Sequence, residues 1–264
     1  PLFDAGKLAP VLNVGTLIQP TTKAQYQAKS VKLPPKLFSH NDQQSVWQSS
    51  APEGARSGWG GRMGDLFQSG NANTTFTCVN VTGNAVFLSG NTSVQYQVTT
   101  SGSVPFSGLQ SSLFGSAACS TALRTLITQN RSHLMEAEYN RVTQRAIDAN
   151  VTLSAALASA PVFQTVYPTK NSLGDQLKLV AKMIATADTL KVKRQVFFVG
   201  IGGFDTHDGL VSNHPTLMKT VADAMAAFYN TTVELGVANQ VTTFTASDFG
   251  RTLSGNNDGS DHGW

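Results

Sequence analysis

Two short apolar runs late in the chain, each ending in acidic and imidazole side chains, organise the reading of the whole sequence. Gln195-Val-Phe-Phe-Val-Gly-Ile201 and Val241-Thr-Thr-Phe-Thr-Ala-Ser247 have the length and composition of buried strands. Between them Leu217, Val221, Met225 and Phe228 fall on one face of a helix expected over 216–235, with Pro215 in its first turn and Gly236 closing it. A strand, a helix and a second strand of these lengths make a right-handed crossover. Both strands then lie parallel, with their C-terminal ends at one edge of the sheet. Open α/β sheets bind ligands at that edge.

The remaining pattern fills in around this unit. Pro1 to Gly6 reads as the end of a helix, and Leu8-Ala-Pro-Val-Leu-Asn-Val-Gly15 reads as a buried strand of the same sheet. Residues 16–56, with Pro20, Pro34, Pro35 and Pro52, form an irregular stretch too long for an ordinary connection. Trp59-Gly-Gly-Arg-Met-Gly-Asp65 starts a helix. From 74 to 104 the residues alternate in hydrophobicity and are interrupted at Gly83-Asn84 and Gly90-Asn91, the pattern of antiparallel hairpins. Residues 108–129, 131–160 and 172–190 carry helical spacing, with Leu177, Val180, Ala181 and Ile184 on one face. The expected fold is therefore α/β: one domain over 1–264, mainly a parallel sheet with helices on both faces, carrying an inserted antiparallel β-meander at 74–104.

Composition narrows the classes. Charged residues make up 13% of the chain and the formal net charge is +3, so neutral polar groups carry most of the surface, a balance common in exported proteins. No cluster of basic residues interleaved with aromatics argues for nucleic acid, and no apolar run is long enough to span a bilayer. Cys78 and Cys119 are compatible with a disulfide in an exported protein and equally with two unpaired buried thiols.

The chemistry concentrates after the two late strands. The first delivers Asp205, His207 and Asp208; the second delivers Asp248, with Asp258, Asp261 and His262 following in a Gly- and Asn-rich loop. Carboxylates gathered at one edge repel unless a cation joins them, and Asp with His is the donor set of zinc or manganese, or of calcium if the histidines point away. Caps and turns are the competing account of the same acids. Ser39, His40 and Asp42 form a second candidate, either a nucleophile or ligand segment or a helix N-terminus. Arg251 is placed to hold an anion by bidentate contacts, or to sit solvated in a loop. His133 lies in a helical stretch as a surface or packing histidine. A Gly-x-Ser-x-Gly nucleophile elbow is absent, and the glycines at 200–203 lead into no helix start of the dinucleotide-binding kind.

Gly202-Gly-Phe-Asp-Thr-His207, Ser247-Asp-Phe-Gly-Arg-Thr252 and Gly259-Ser-Asp-His-Gly263, in that order, resemble the DUF1501 family, exported proteins grouped with the alkaline phosphatase and sulfatase superfamily. Ala5 to Gly15, Phe38-Ser-His40 with Trp47, and Gly58-Trp-Gly-Gly-Arg62 are similar to that family too. The resemblance implies an alkaline phosphatase-like sheet whose first strand lies before Pro1 and whose domain continues past Trp264. It also implies a two-metal site that hydrolyses a small anionic phosphate or sulfate ester, with Asp205, His207, Asp248, Asp261 and His262 as metal ligands. Ser39 would be the nucleophile and Arg251 the anion holder. Phe249 stands where the superfamily has a histidine, and that departure supports the rival reading: a non-catalytic exported surface or assembly protein, with a protein partner, that retains the fold.

Overall fold

The computed structural model describes residues 2–12, 14–83 and 85–264. Pro1, Asn13 and Asn84, which belong to the expected helix end, first strand and first Gly-Asn turn, lie outside the described residues. In chain order the elements are α1 (Lys23–Ala28), α2 (His40–Ser49), α3 (Trp59–Phe67), β1 (Cys78–Asn80), β2 (Tyr96–Gln97), α4 (Ser107–Gln110), α5 (Ala117–Thr128) and α6 (Leu134–Ala158). They continue with α7 (Ser172–Ala185), α8 (Ala187–Leu190), β3 (Val196–Phe198), α9 (Leu210–Glu234), β4 (Gly250–Gly255) and β5 (Ser260–Gly263).

β1 lies between β2 and β3 and pairs parallel with both, Val79 opposite Tyr96 on one side and Phe197 on the other. Strand alternation sends successive side chains to opposite faces. Val79, Phe197, Val199 and Ile201 join one apolar cluster with Leu153 of α6, Leu177 and Met183 of α7 and Phe228 of α9. Cys78, Val196 and Phe198 point the other way, onto Phe87, Leu88 and Trp59 of α3. The result is a mixed α/β fold in which a small parallel sheet has helices packed on each face.

Four segments depart from the sequence pattern. Among the described residues of 8–15 none lies in a strand, and Val11 and Leu12 are more than three-quarters exposed. Pro10 removes one donor there, and among the described residues no neighbouring strand supplies the rest. Residues 241–247 form no strand either; Phe244 instead stacks on Trp59, ring centroids 5.4 Å apart. Residues 74–104 hold β1 and β2, but the two pair parallel rather than as a hairpin, because a turn of 3-10 helix at Val86–Leu88 carries the chain across between them. Finally, α9 begins at Leu210, so that Pro215 sits inside the helix on an exposed turn rather than at its start. Gly236 closes α9 as expected, at φ 72° with its N–H on the Val233 carbonyl. Among the described residues both cysteines are free; Cys78 is buried and Cys119 exposed. Burial, with a smaller contribution from the charge of Asp65, pushes the Cys78 thiol up to about 11.

α3 lies close against its neighbours because its inner face is glycine. A Cβ on Gly61 would lie 2.1 Å from the Ser89 carbonyl carbon, and one on Gly64 would lie 2.3 Å from Cys78 Sγ. Gly61→Ala should therefore destabilise the protein by about 1–3 kcal/mol in urea denaturation. Gly70→Ala, where a Cβ meets nothing within 4 Å, should change stability by no more than about 0.5 kcal/mol.

Asp65, at the end of the same helix, ties down the 90–93 loop by accepting the N–H groups of Asn91, Thr92 and Ser93. Burial alone would raise its pKa, but the three amides outweigh it and hold the carboxyl well below the usual range. A carboxyl depressed on folding contributes stability above its unfolded pKa and loses it as pH falls. Asp65→Asn should thus cost about 1.5–3 kcal/mol at pH 7. That difference from wild type should shrink as denaturation is measured below about pH 4.

Candidate metal centre

The loop after β3 brings Asp205 and His207 past the end of the sheet. The hairpin of β4 and β5 is antiparallel and sets His262 directly opposite Arg251. Its turn presses on the first loop through Ser260 N–H to Thr206 O and Leu210 N–H to Asp258 O. This approach requires glycine: a Cβ on Gly259 would sit 1.8 Å from the His207 carbonyl oxygen. α2 enters from the opposite end of the chain with His40 as its first residue. Thr16 clamps α2 to the hairpin, donating its hydroxyl to Gln43 Oε1 while its carbonyl accepts the Trp264 indole N–H at 2.7 Å.

Three imidazoles meet around Asp205. His262 Nε2 lies 3.0 Å and His207 Nε2 3.1 Å from Asp205 Oδ1, and His40 Nε2 lies 3.2 Å from Oδ2. The ligand atoms of His40, Asp205 and His262 all fall within 4.8 Å of one another. His207 Nε2 is 3.0 Å from His262 Nε2. On the far side of two rings an acceptor holds Nδ1, Asp248 Oδ2 at 2.6 Å for His40 and the Phe38 carbonyl at 2.9 Å for His262, while Asp261 Oδ1 lies 3.4 Å from His207 Nδ1 without a hydrogen bond. A carbonyl or an ionised carboxylate can only accept, so in His40 and His262 Nδ1 carries a proton, and Nε2 is the nitrogen turned toward Asp205.

That orientation is the one metal-binding histidines take, with the outer nitrogen donating to a carboxylate or carbonyl and the inner one free to ligate. His40 Nε2 fits it further. It is buried, and although Asp205 is near, the angle yields no hydrogen bond. The donor set of imidazole nitrogens and a carboxylate suits zinc or manganese.

Electrostatics keep Asp205 ionised. Burial would raise its pKa, but hydrogen bonds from Arg251 and His262 and the charges of His207 and His40 lower it to about 2. Asp248 is depressed as well, its burial outweighed by His40 and Gln44. For His40, burial works toward a lower pKa, yet the hydrogen bond and charge of Asp248 and the charge of Asp205 leave it raised.

Of the expected ligands, Asp205 and His262 join His40 in the group whose ligand atoms lie together, His207 Nε2 lies 3.1 Å from Asp205, and Asp248 and Asp261 lie behind His40 and His207 at 2.6 and 3.4 Å. Arg251 does not face open solvent as an anion clamp: its Nη1 is on Asp205, its Nη2 on the Ser260 carbonyl, and its side chain is 18% exposed. Ser39 occupies the N-cap position of α2, and its hydroxyl donates to Asp42 Oδ2 at 2.8 Å rather than to a helix N–H. Asp208 and Asp258 are exposed beside the hairpin turn. His40 stood in the sequence as part of a separate candidate segment, and its place beside Asp205 and His262 was not legible because its partner Asp248 is 208 positions away. Phe249 packs on both His40 and His262, centroids 4.6 and 4.4 Å apart, and forms an aromatic wall beside them.

The profile of a protein family described as "Protein of unknown function (DUF1501)" matches residues 3–264. The chain belongs to the DUF1501 family. No curated protein and no solved structure gives a match. In this DUF1501 chain the motifs at 202–207, 247–252 and 259–263 each send a side chain into the cluster or directly behind it, and Phe38-Ser-His40 supplies the fourth side.

Removing an orienting acceptor loosens a metal-binding histidine without deleting a ligand. Asp248→Ala should therefore weaken zinc binding about 10–100-fold in calorimetric titration, and His40→Ala should weaken it at least as much. Asp223→Ala, on an exposed turn of α9 paired with Lys219, should leave zinc affinity unchanged.

Proposed function

We propose that the chain is a metal-dependent hydrolase of phosphate or sulfate esters, resembling the alkaline phosphatase and sulfatase superfamily, acting as an exported protein. The observation that carries this reading is the convergence of three imidazole Nε2 atoms on the Asp205 carboxylate, with Nδ1 of His40 and of His262 held from behind. Carbonyl and carboxylate acceptors at these two outer nitrogens favour zinc or manganese over calcium, which takes oxygen ligands. Bound there, such an ion would act as a Lewis acid on an ester oxygen. Arg251 holds Asp205 in place and ionised. Asp248 and the Phe38 carbonyl fix the tautomers of His40 and His262. Ser39, next to His40 in sequence, is the nucleophile of this proposal, and its hydroxyl lies within proton-transfer distance of Asp42. The side chains of Asp205 and His207 are 45% and 43% exposed, which leaves the cluster open to a small anionic substrate.

Two observations favour the rival, a non-catalytic surface or assembly protein. Arg251 is engaged within the chain, and Val11, Leu12 and Leu17 present an apolar arm for a partner. Among the described residues no helix is long and apolar enough to cross a membrane.

The two readings separate in an assay of p-nitrophenyl phosphate and p-nitrophenyl sulfate hydrolysis by protein supplied with zinc or manganese. Turnover should appear, fall by at least about 100-fold in Asp205→Ala, and be lost in Ser39→Ala while zinc binding persists. Stoichiometric metal without turnover of either ester would leave the structural reading.

A further inference from the structure

Away from the metal centre, α5 and α6 run antiparallel and leave a polar cavity between them. Arg124 of α5 reaches Asp148 at 3.8 Å, and Asn140, earlier in α6, donates to the Gln129 carbonyl at 2.7 Å. The cavity has a volume of about 450 Å³, and Asn73 and Thr75 supply a further wall. It shares no lining residue with the His40, Asp205 and His262 cluster. Among the described residues that line it none is aromatic, and the apolar ones are Ala137 and Ala149.

Its polar side chains divide by whether the chain already uses them. Arg141 is held by Glu138 in a bidentate pair, Nε to Oε2 at 2.8 Å and Nη2 to Oε1 at 2.6 Å. Asp148 accepts from Gln144 Nε2 at 2.7 Å, and the Thr128 and Thr152 hydroxyls donate to carbonyls of their own helices. Arg145 is different. Among the described residues it has no hydrogen bond or ion pair and meets Glu138 only through longer-range charge. The Thr75 hydroxyl and the Asn130 side-chain amide likewise have no hydrogen bond among the described residues. The Thr128 carbonyl, in the last turn of α5, has no helical N–H to accept.

The uncommitted groups select the ligand. One guanidinium with parallel N–H donors matches one carboxylate. A dianion would need a second cation, and Arg141 is already neutralised. Hydroxyls both donate and accept, so they satisfy an amide, a hydroxyl and a carbonyl together. Without an aromatic wall an aryl ring or nucleobase finds nothing to stack on, and a small inorganic anion would leave most of the cavity to water.

We propose that the cavity between α5 and α6 binds a monoanionic sugar acid, its carboxylate on Arg145 and its hydroxyls on Thr75, Asn130 and the Thr128 carbonyl. The site is separate from the metal centre and rests on none of its chemistry.

Calorimetric titration of the full chain with D-glucuronate, in chelator so that no metal contributes, tests it. D-glucuronate should bind with a Kd of about 1 mM or tighter. D-glucose, which lacks the carboxylate, and cyclohexanecarboxylate, which lacks the hydroxyls, should each bind at least about ten-fold more weakly. Arg145→Ala should weaken D-glucuronate at least about ten-fold, and Arg145→Lys less than that, because lysine keeps the charge and loses the fork. Thr75→Val should weaken it about three-fold. Neither side chain bonds within the fold, so the thermal transition of each variant should match the wild type. His40→Ala should leave the affinity unchanged. No binding of D-glucuronate up to about 20 mM, or affinities for the three probes within about three-fold of one another, would overturn the proposal. Binding that survives both Arg145→Ala and Thr75→Val, or that is lost in His40→Ala, would overturn it as well, since the sugar acid would then sit elsewhere.

Discussion

The ionised carboxylate of Asp205 is the fixed point on which the candidate centre depends. Arg251 and two imidazoles converge on its Oδ1, and a third imidazole approaches Oδ2. A carboxylate in so polar a surrounding stays charged, because each donor favours the anion and together they outweigh its burial. Its charge in turn makes the gathering of three histidines and an arginine affordable. The side of the cluster facing His40 holds a buried nitrogen with no hydrogen-bond partner, a polar atom that ordinarily finds one. A cation taking the place of protons on these inward-turned nitrogens would satisfy that atom, and it is the reason we read the cluster as a candidate metal centre.

Rigidity reaches this centre through close packing. The glycine face of α3 lets it lie against Cys78 and the backbone at Ser89, and α3 braces α2 through the Trp59 indole N–H on the Trp47 carbonyl. Gln48 of α2 accepts the Phe87 N–H, so the C-terminal end of the helix that begins with His40 is held against its neighbours. Thr16 then joins α2 to the C-terminal hairpin. Histidines contributed by the N-terminal and C-terminal parts of the chain meet because backbone and side-chain hydrogen bonds position the elements first. The side chains need only their ordinary reach afterwards.

How much of this was legible in the sequence differs by the range of the interaction. Local patterns were sufficient for the helices: α6 and α7 fall within the stretches of 3.6-residue spacing, Gly236 ends α9, and the run at Gln195–Ile201 yields β3 in a parallel sheet. Asp205, His207 and His262 were recognisable because they follow apolar runs and turn residues, which deliver polar groups to the rim of a fold. Failures occurred where a strand needs a neighbour. Val241–Ser247 and Leu8–Gly15 have strand-like composition, but a strand exists only as part of a ladder, and among the described residues neither finds one. Residues 74–104 alternate as hairpins do, yet pairing direction is set by the path between strands and not by periodicity.

By itself, then, the sequence determined the α/β class, the positions of the long helices, and which side chains have the chemistry to bind a cation. Those properties depend on residues a few positions apart, whose spacing the chain states directly. Only the tertiary structure decided that His40 is the partner of Asp248, that Asp261 stands beside His207, and that Arg251 is paired with Asp205. Each of these depends on the distance between groups far apart in the chain and on which nitrogen of a ring is turned inward. Both are fixed by packing, so no local pattern carries them.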